Sequence, residues 1–127
     1  MNQSTEGFHS LLHEVFEQNS QVLMISLTTP EGLPIVLLSR EDSGIEEITD
    51  MSITNRYAAL VGASTSLGDR TLSTLSQETV RLIHVQGESR DIAISMAEKV
   101  ITLVITEPSG SANLLAEKLA NALKIYM

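Results

Sequence analysis

Cysteine and tryptophan are absent from this chain, and only two Phe and two Tyr stand among its 127 residues. Without cysteine there are no disulfides, no thiolate nucleophile and no Cys-based zinc site, which suits a reducing cytoplasm. With so few aromatics, the core must be built from Leu, Ile, Val, Ala and Met, and stacking platforms for bases or sugar rings are nearly lacking. Positive charge is scarce too: eight Lys and Arg face sixteen Asp and Glu, a formal net charge of −8. Those eight are scattered, so no basic stripe can neutralise phosphates or anionic headgroups, and nucleic acid and membrane surfaces are poor partners. No apolar run approaches the roughly 18 residues that span a bilayer, and the polar start MNQSTEGFHS has neither a charged nor an apolar signal region. The expectation is a soluble, unsecreted, cytoplasmic protein.

What is present is the material of a globular core. Hydrophobic residues make up 43% of the chain and no low-complexity stretch interrupts them, so one domain over residues 1–127 is expected. Phe8, Leu11, Leu12, Val15 and Phe16 recur at helical spacing and NSQ closes that segment. VLMISLT and IVLLS, separated by the turn-rich TPEGLP, read as a hairpin. Both runs are apolar at nearly every position, which predicts a sheet covered on both faces. The acidic stretch from Arg40 to Asp50 reads as a loop leading to a helix capped by Asp50, Ser52 or Thr54 and running to about Leu75. TVRLIHVQ, DIAISMA and VITLVIT, joined by short turns, give three more strands. EPSGSAN then breaks the sheet and offers Ser111 as a cap for a last helix lined by Leu115, Leu119, Ala122, Leu123 and Tyr126. The expected fold is α/β: a three-layer α/β/α sandwich around a five-stranded, mainly antiparallel sheet, in the order α-β-β-α-β-β-β-α.

The long helix poses the main functional question. Steps of about 100° per residue place Tyr57, Leu60, Val61, Ser64, Leu67, Gly68, Thr71, Leu72 and Leu75 on one side, which is expected to meet the sheet. The other side then carries Ala58, Ala59, Gly62, Ala63, Ser66 and Ser73, with Asp69 and Arg70 its only charges. A solvent face normally holds more Lys and Glu, and an interior Gly costs about 1 kcal/mol relative to Ala unless something comes near the backbone. The small-residue face is therefore expected to pack on the same helix of a second copy, with Asp69 and Arg70 pairing across the dyad or standing at its rim. TVRLIHVQ is apolar on both sides; as an edge strand it would offer backbone groups to the same partner.

Motifs for chemistry fail on their required residues. His9, His13 and Glu17 fall at i, i+4 and i+8, but HEVFE is not the H-E-x-x-H of zinc proteases, and a polar helix stripe explains them. VGASTSLGD lacks the second Gly of a nucleophile elbow and the Lys of a P-loop. His84 has no acid or nucleophile matched to it, so a core or interface role is expected. No catalytic residue, cofactor site or metal site is expected.

The succession EGLPIVLLS, YAALVGASTSLGDRTLSTL and VRLIHVQGESRDIAISMAEKVITLVITEPSGSANLLAEKLANAL resembles the Roadblock/LC7 family, the dynein light chain and small-GTPase-regulator group. The likeness runs from about Leu11 to Leu123 and rests on element order and a diffuse pattern. It implies a dimer, with itself or with a second roadblock-type chain, in which the long helices lie side by side and the third strands join two sheets. By position, Ala59, Gly62, Ala63, Ser66 and Arg70 match the dimer helix, and Val80, Leu82 and His84 the joining strand. It also implies a non-enzymatic scaffold or regulator of a Ras-like or Arf-like small GTPase docked over the paired helices. Of the helix arginines, neither Arg56 nor Arg70 is expected to act on nucleotide. The acidic connector is longer than the family pattern. The alternatives are a small-molecule-sensing domain, which would need a pocket with convergent polar groups, or a motor-complex adaptor without a GTPase.

Overall fold

The computed structural model describes residues 2–97, 99–108 and 111–124, with side chains from residue 7 onward. Its elements are α1 (Asn2–Gln18), β1 (Val22–Thr28), β2 (Pro34–Glu41), β3 (Gly44–Glu47), α2 (Met51–Ser76), β4 (Leu82–Gln86), β5 (Asp91–Met96), β6 (Ile101–Thr106) and α3 (Ala112–Leu123). All three expected helices and all five expected strands form. Tyr126, assigned to the last helix, lies outside the described residues.

The sheet has six strands in the order β3-β2-β1-β6-β5-β4, and every pairing is antiparallel. The sixth strand is β3, which corrects the loop expected between Arg40 and Asp50. After β2 the chain turns at Asp42 and Ser43, and Gly44, at φ 131°, enters the return strand in a conformation that side-chain-bearing residues rarely adopt. Ile45 then pairs with Arg40 in register and packs against the main core.

α1 and α3 cover one face of the sheet. Phe8, Leu12 and Phe16 from α1, and Ala116, Leu119 and Leu123 from α3, pack on Ile25, Leu27, Val36, Leu38, Ala93 and Val104. Alternation along the strands sends Ile94, Ile101 and Leu103 to the opposite face, where they meet Val61 of α2. This is the expected three-layer arrangement, with both faces of the sheet apolar.

Arg40 ties the first layer to the sheet. Its Nη2 donates to the carbonyls of Phe16 (2.7 Å) and Asn19 (3.1 Å), its Nε donates to Val22 (2.8 Å), and its guanidinium lies 5.4 Å from the Phe16 ring centroid. A cation placed on the last carbonyls of a helix complements the partial negative charge there. Ser111 stands at the N-cap position of α3, as expected, but no side-chain capping bond forms there; its hydroxyl accepts from Gln21 Nε2 at 3.2 Å.

Candidate functional site

The site is built on α2, and α2 is turned relative to expectation. Its buried residues are Thr54, Ala58 and Val61, continued at helical spacing by the half-buried Thr65, Gly68, Asp69 and Leu72. Ala58, assigned to the outer face, is 2% exposed, whereas Leu60, Leu67 and Leu75, assigned to the sheet, are 59%, 69% and 76% exposed. The rotation is about one residue step, roughly 100°. Its physical cause is that small side chains let the helix sit close to the sheet, leaving the large ones outside. Gly68 packs closely on the segment before β4: a Cβ there would lie 3.2 Å from Val80 Cβ and Cγ2.

The ends of α2 are fixed by side chains. Asp50 is the N-cap and accepts from Ser52 N at 2.9 Å and Ser52 Oγ at 2.8 Å. These bonds from Ser52, led by its hydroxyl, hold the Asp50 carboxyl below the usual carboxylate range. Gln77 closes the other end at φ 57°, its N–H donating to Ser73 O. Asp69 accepts from Val80 N at 2.7 Å and so pins the segment that leads into β4.

Ile53, Leu60 and Leu67 recur every seven residues on the outward side of α2, with Ala63 between the two leucines and Arg56 and Arg70 beside them. Tyr57 stands on the flank next to Leu60 and packs into the cluster formed by β5 and β6. Beyond that flank the sheet is poorly covered. Ile83, Ile92, Met96 and Ile105 are only partly buried against the α2-side cluster, and Val85 is 51% exposed. Dimensions explain this. Six strands at about 4.8 Å spacing make a surface roughly 24 Å wide, while a helix with its side chains is about 10–12 Å across. One helix leaves an open apolar strip, walled on one side by Leu60 and Leu67.

β4 bounds that strip and is the terminal strand of the sheet, paired only with β5 among the described residues. Its sequence, LIHVQ, carries no Asp, Glu, Lys or Arg. Of the expected interface residues, Ala59, Ala63, Ser66 and Arg70 are exposed on α2, and Gly62 is half-buried on its flank with open space where a Cβ would stand. His84 is exposed on β4. Asp69, Val80 and Leu82 turn instead into the chain's own packing: Asp69 onto Val80 N, Val80 onto Gly68, and Leu82 against the α1–α3 core. Sequence reasoning did not assign Ile53, Leu60, Leu67, Ile83 and Val85 to this surface. The seven-residue spacing of the first three was the available signal.

Elsewhere the chemistry is sparse. His9 Nε2 lies 3.7 Å from Glu47 Oε1, and no group of three potential metal ligands occurs among the described residues. Arg56 and Arg70 are both solvent-exposed. A cleft of about 980 Å³ runs under the C-terminal half of α2 between Thr65, Asp69, Leu72, Val80, Met96 and Ile101. Its one buried-side carboxylate, Asp69, is already bonded to Val80 N. No described helix is long and apolar enough to cross a membrane.

No family model and no curated protein matches the sequence. Solved structures do match the fold. MglB in a tetrameric arrangement superposes with a TM-score of 0.75 at 15% identity, over 97% of this chain and 89% of the other. The gliding protein MglB from Thermus thermophilus gives 0.75 at 15%, over 97% and 90%. A Roadblock/LC7 domain from Streptomyces avermitilis gives 0.62 at 16%, over 84% and 85%. At these identities the likeness is one of fold, and it agrees with the order of helices and strands found here. The chain folds as a Roadblock/LC7 domain.

Proposed function

We propose that the chain, as one Roadblock/LC7-type unit over residues 1–127, is a non-enzymatic, cytoplasmic dimeric platform that binds a Ras-like or Arf-like small GTPase. The observation that carries the reading is the open apolar strip beside α2, bounded by Leu60 and Leu67 on one side and by Ile83 and Val85 of a bare edge strand on the other. A second α2, about 10–12 Å across, would cover it, and two β4 edges can supply each other's missing hydrogen bonds. The partner is a second copy of this chain or another roadblock-type chain. With α2 paired to α2, Ala59, Ala63, Ser66 and Arg70 lie along a continuous two-helix surface on which the GTPase docks. The fold likeness to MglB and Roadblock/LC7 domains supports that role, together with the sequence resemblance to GTPase regulators.

Two measurements test it. Sedimentation velocity at micromolar concentration is expected to give a dimer for the wild type. Pull-down against a panel of small GTPases loaded with GTPγS or GDP is expected to retain at least one, with a preference for one nucleotide state, and to lose it for Arg70→Glu. A wild-type monomer refutes the platform; a dimer that retains no GTPase from the panel refutes the partner.

A further inference from the structure

At the edge of the sheet farthest from β4, the surface has a different character. The start of β2, the end of β3 and the first turn of α2 enclose a groove of about 230 Å³ lined by Pro34, Ile35, Leu37, Ile48, Met51 and Thr54. Ile35 and Met51 are 38% and 63% exposed, so the groove is apolar and open to solvent. Two acids stand at its rim: Glu46, which its register with Ser39 places on the α2 side of β3, and Asp50, the cap of α2; Glu47 borders the groove, but its carboxylate lies on the α1 side, 3.7 Å from His9 Nε2. From Glu41 to Asp50 the sequence carries five acids and no Lys or Arg. The nearest arginine in the hairpin, Arg40, is committed to the Phe16, Asn19 and Val22 carbonyls on the α1 side.

We propose that this groove docks a cationic, leucine-bearing peptide segment of a partner protein, an apolar side chain entering between Ile35, Ile48 and Met51 while Lys or Arg residues face Glu46 and Asp50. Charge selects this occupant. A second copy of the same edge would set its own acids against Glu46 and Asp50, whereas a basic segment meets both with opposite charge. Backbone geometry favours an extended segment. Ile48 N donates to Leu37 O, so by strand alternation the backbone groups of Ile45 and Glu47 point away from β2, along the outer edge of the terminal strand. The groove stays open in the proposed dimer, because β3 and β4 are opposite edges of the sheet.

The probe is a fluorescein-labelled peptide of about ten residues alternating Lys and Leu, read by fluorescence anisotropy in about 0.15 M salt. Saturable binding is expected, weakened about tenfold or more when Ser replaces its leucines and abolished when Glu replaces its lysines. Met51→Ser and the double change Glu46→Gln, Asp50→Asn are each expected to weaken it by about tenfold. Leu67→Glu, which disrupts the proposed dimer, is expected to leave it unchanged, so this site and the dimer reading fail separately. Equal binding of the Lys–Ser peptide, which would mark general attraction to a chain of net charge −8, overturns the proposal. So does unaltered binding by the groove variants.

Discussion

Replacing Leu67 by Glu is the sharpest perturbation of the outward stripe on α2. Leu67 is 69% exposed in the isolated chain and Leu60 59%. Complete burial of a leucine contributes about 1.5–3 kcal/mol, so covering what each still exposes contributes roughly 1–2 kcal/mol. A two-fold interface uses each position twice. Leu67→Glu therefore removes about 2–4 kcal/mol and adds the cost of desolvating two carboxylates near one another, several kcal/mol more. At 1.4 kcal/mol per tenfold, the dimer should weaken by about a thousandfold or more. Sedimentation velocity over a concentration series measures this, with a micromolar dimer expected to become monomeric. The change should barely alter the intrinsic stability of the monomer, because substitutions at exposed positions usually stay within about 0.5 kcal/mol. Leu114→Glu on α3 is the control: that leucine is 65% exposed but lies on the opposite face of the sheet, and its variant should dimerise as the wild type does. Equal association of the Leu67 variant and the wild type, or equal loss in the Leu114 variant, would refute the reasoning.

Arg40→Met should destabilise the fold by about 2–4 kcal/mol in urea denaturation, since three charge-assisted bonds to carbonyls are lost at a half-buried site; Arg40→Lys, with no planar fork, should recover only part of this. Gln77→Gly should raise stability by up to about 1 kcal/mol, because Gln77 holds a φ of 57° that glycine adopts without a Cβ penalty. Gly68→Val should be strongly destabilising, as even a Cβ would meet Val80 at 3.2 Å, whereas Gly62→Ala meets open space and should stabilise the isolated chain by up to about 1 kcal/mol. Asp50 has a depressed carboxyl pKa, so its contribution to stability is present above the ordinary carboxylate range and is lost as pH falls through the lowered value. Asp50→Asn, which still caps the helix, should flatten part of the acid limb of Tm against pH, and an unchanged limb would show that the Ser52 bonds do not set it.

Much of the architecture was legible because the strands carry strong local signals. Runs such as VLMISLT and VITLVIT are long, β-branched and bounded by turn residues, and they locate themselves. β3 was hidden for the opposite reason. It is four residues long, two of them Glu, and only Ile45 anchors it to the core, so neither period nor composition marks it as a strand. The proposed interface is only partly legible in the sequence. The long helix forms as expected, but two apolar stripes run along α2, and the expectation that the bulkier one is buried puts Leu60 and Leu67 inside. That rule holds when a chain must cover all of its own large residues. It fails where the bulky stripe has nothing of its own chain to pack on, which is what Leu60 and Leu67 show. The inward turn of Asp69 could not be read either, because its partner is a backbone N–H eleven positions away in an irregular segment.

The two terminal strands of the sheet present opposite characters to a neighbouring strand. Any six-stranded open sheet has two rows of unpaired backbone groups, and each invites another strand unless something prevents it. At β3 the prevention is electrostatic: Glu46 and Glu47 stand in a four-residue strand, with Glu41 and Asp42 at its turn, so pairing with an identical edge juxtaposes like charges at short range. At β4 nothing comparable exists. LIHVQ is uncharged, and its own Ile83 and Val85 are only partly covered on the α2 side. Pairing of β4 with another β4 would therefore satisfy the edge and, in the same step, bring a second α2 toward the open strip over β5 and β6. In the proposed dimer the acids on β3 would limit that growth to one direction, favouring a closed pair over an extending chain of sheets.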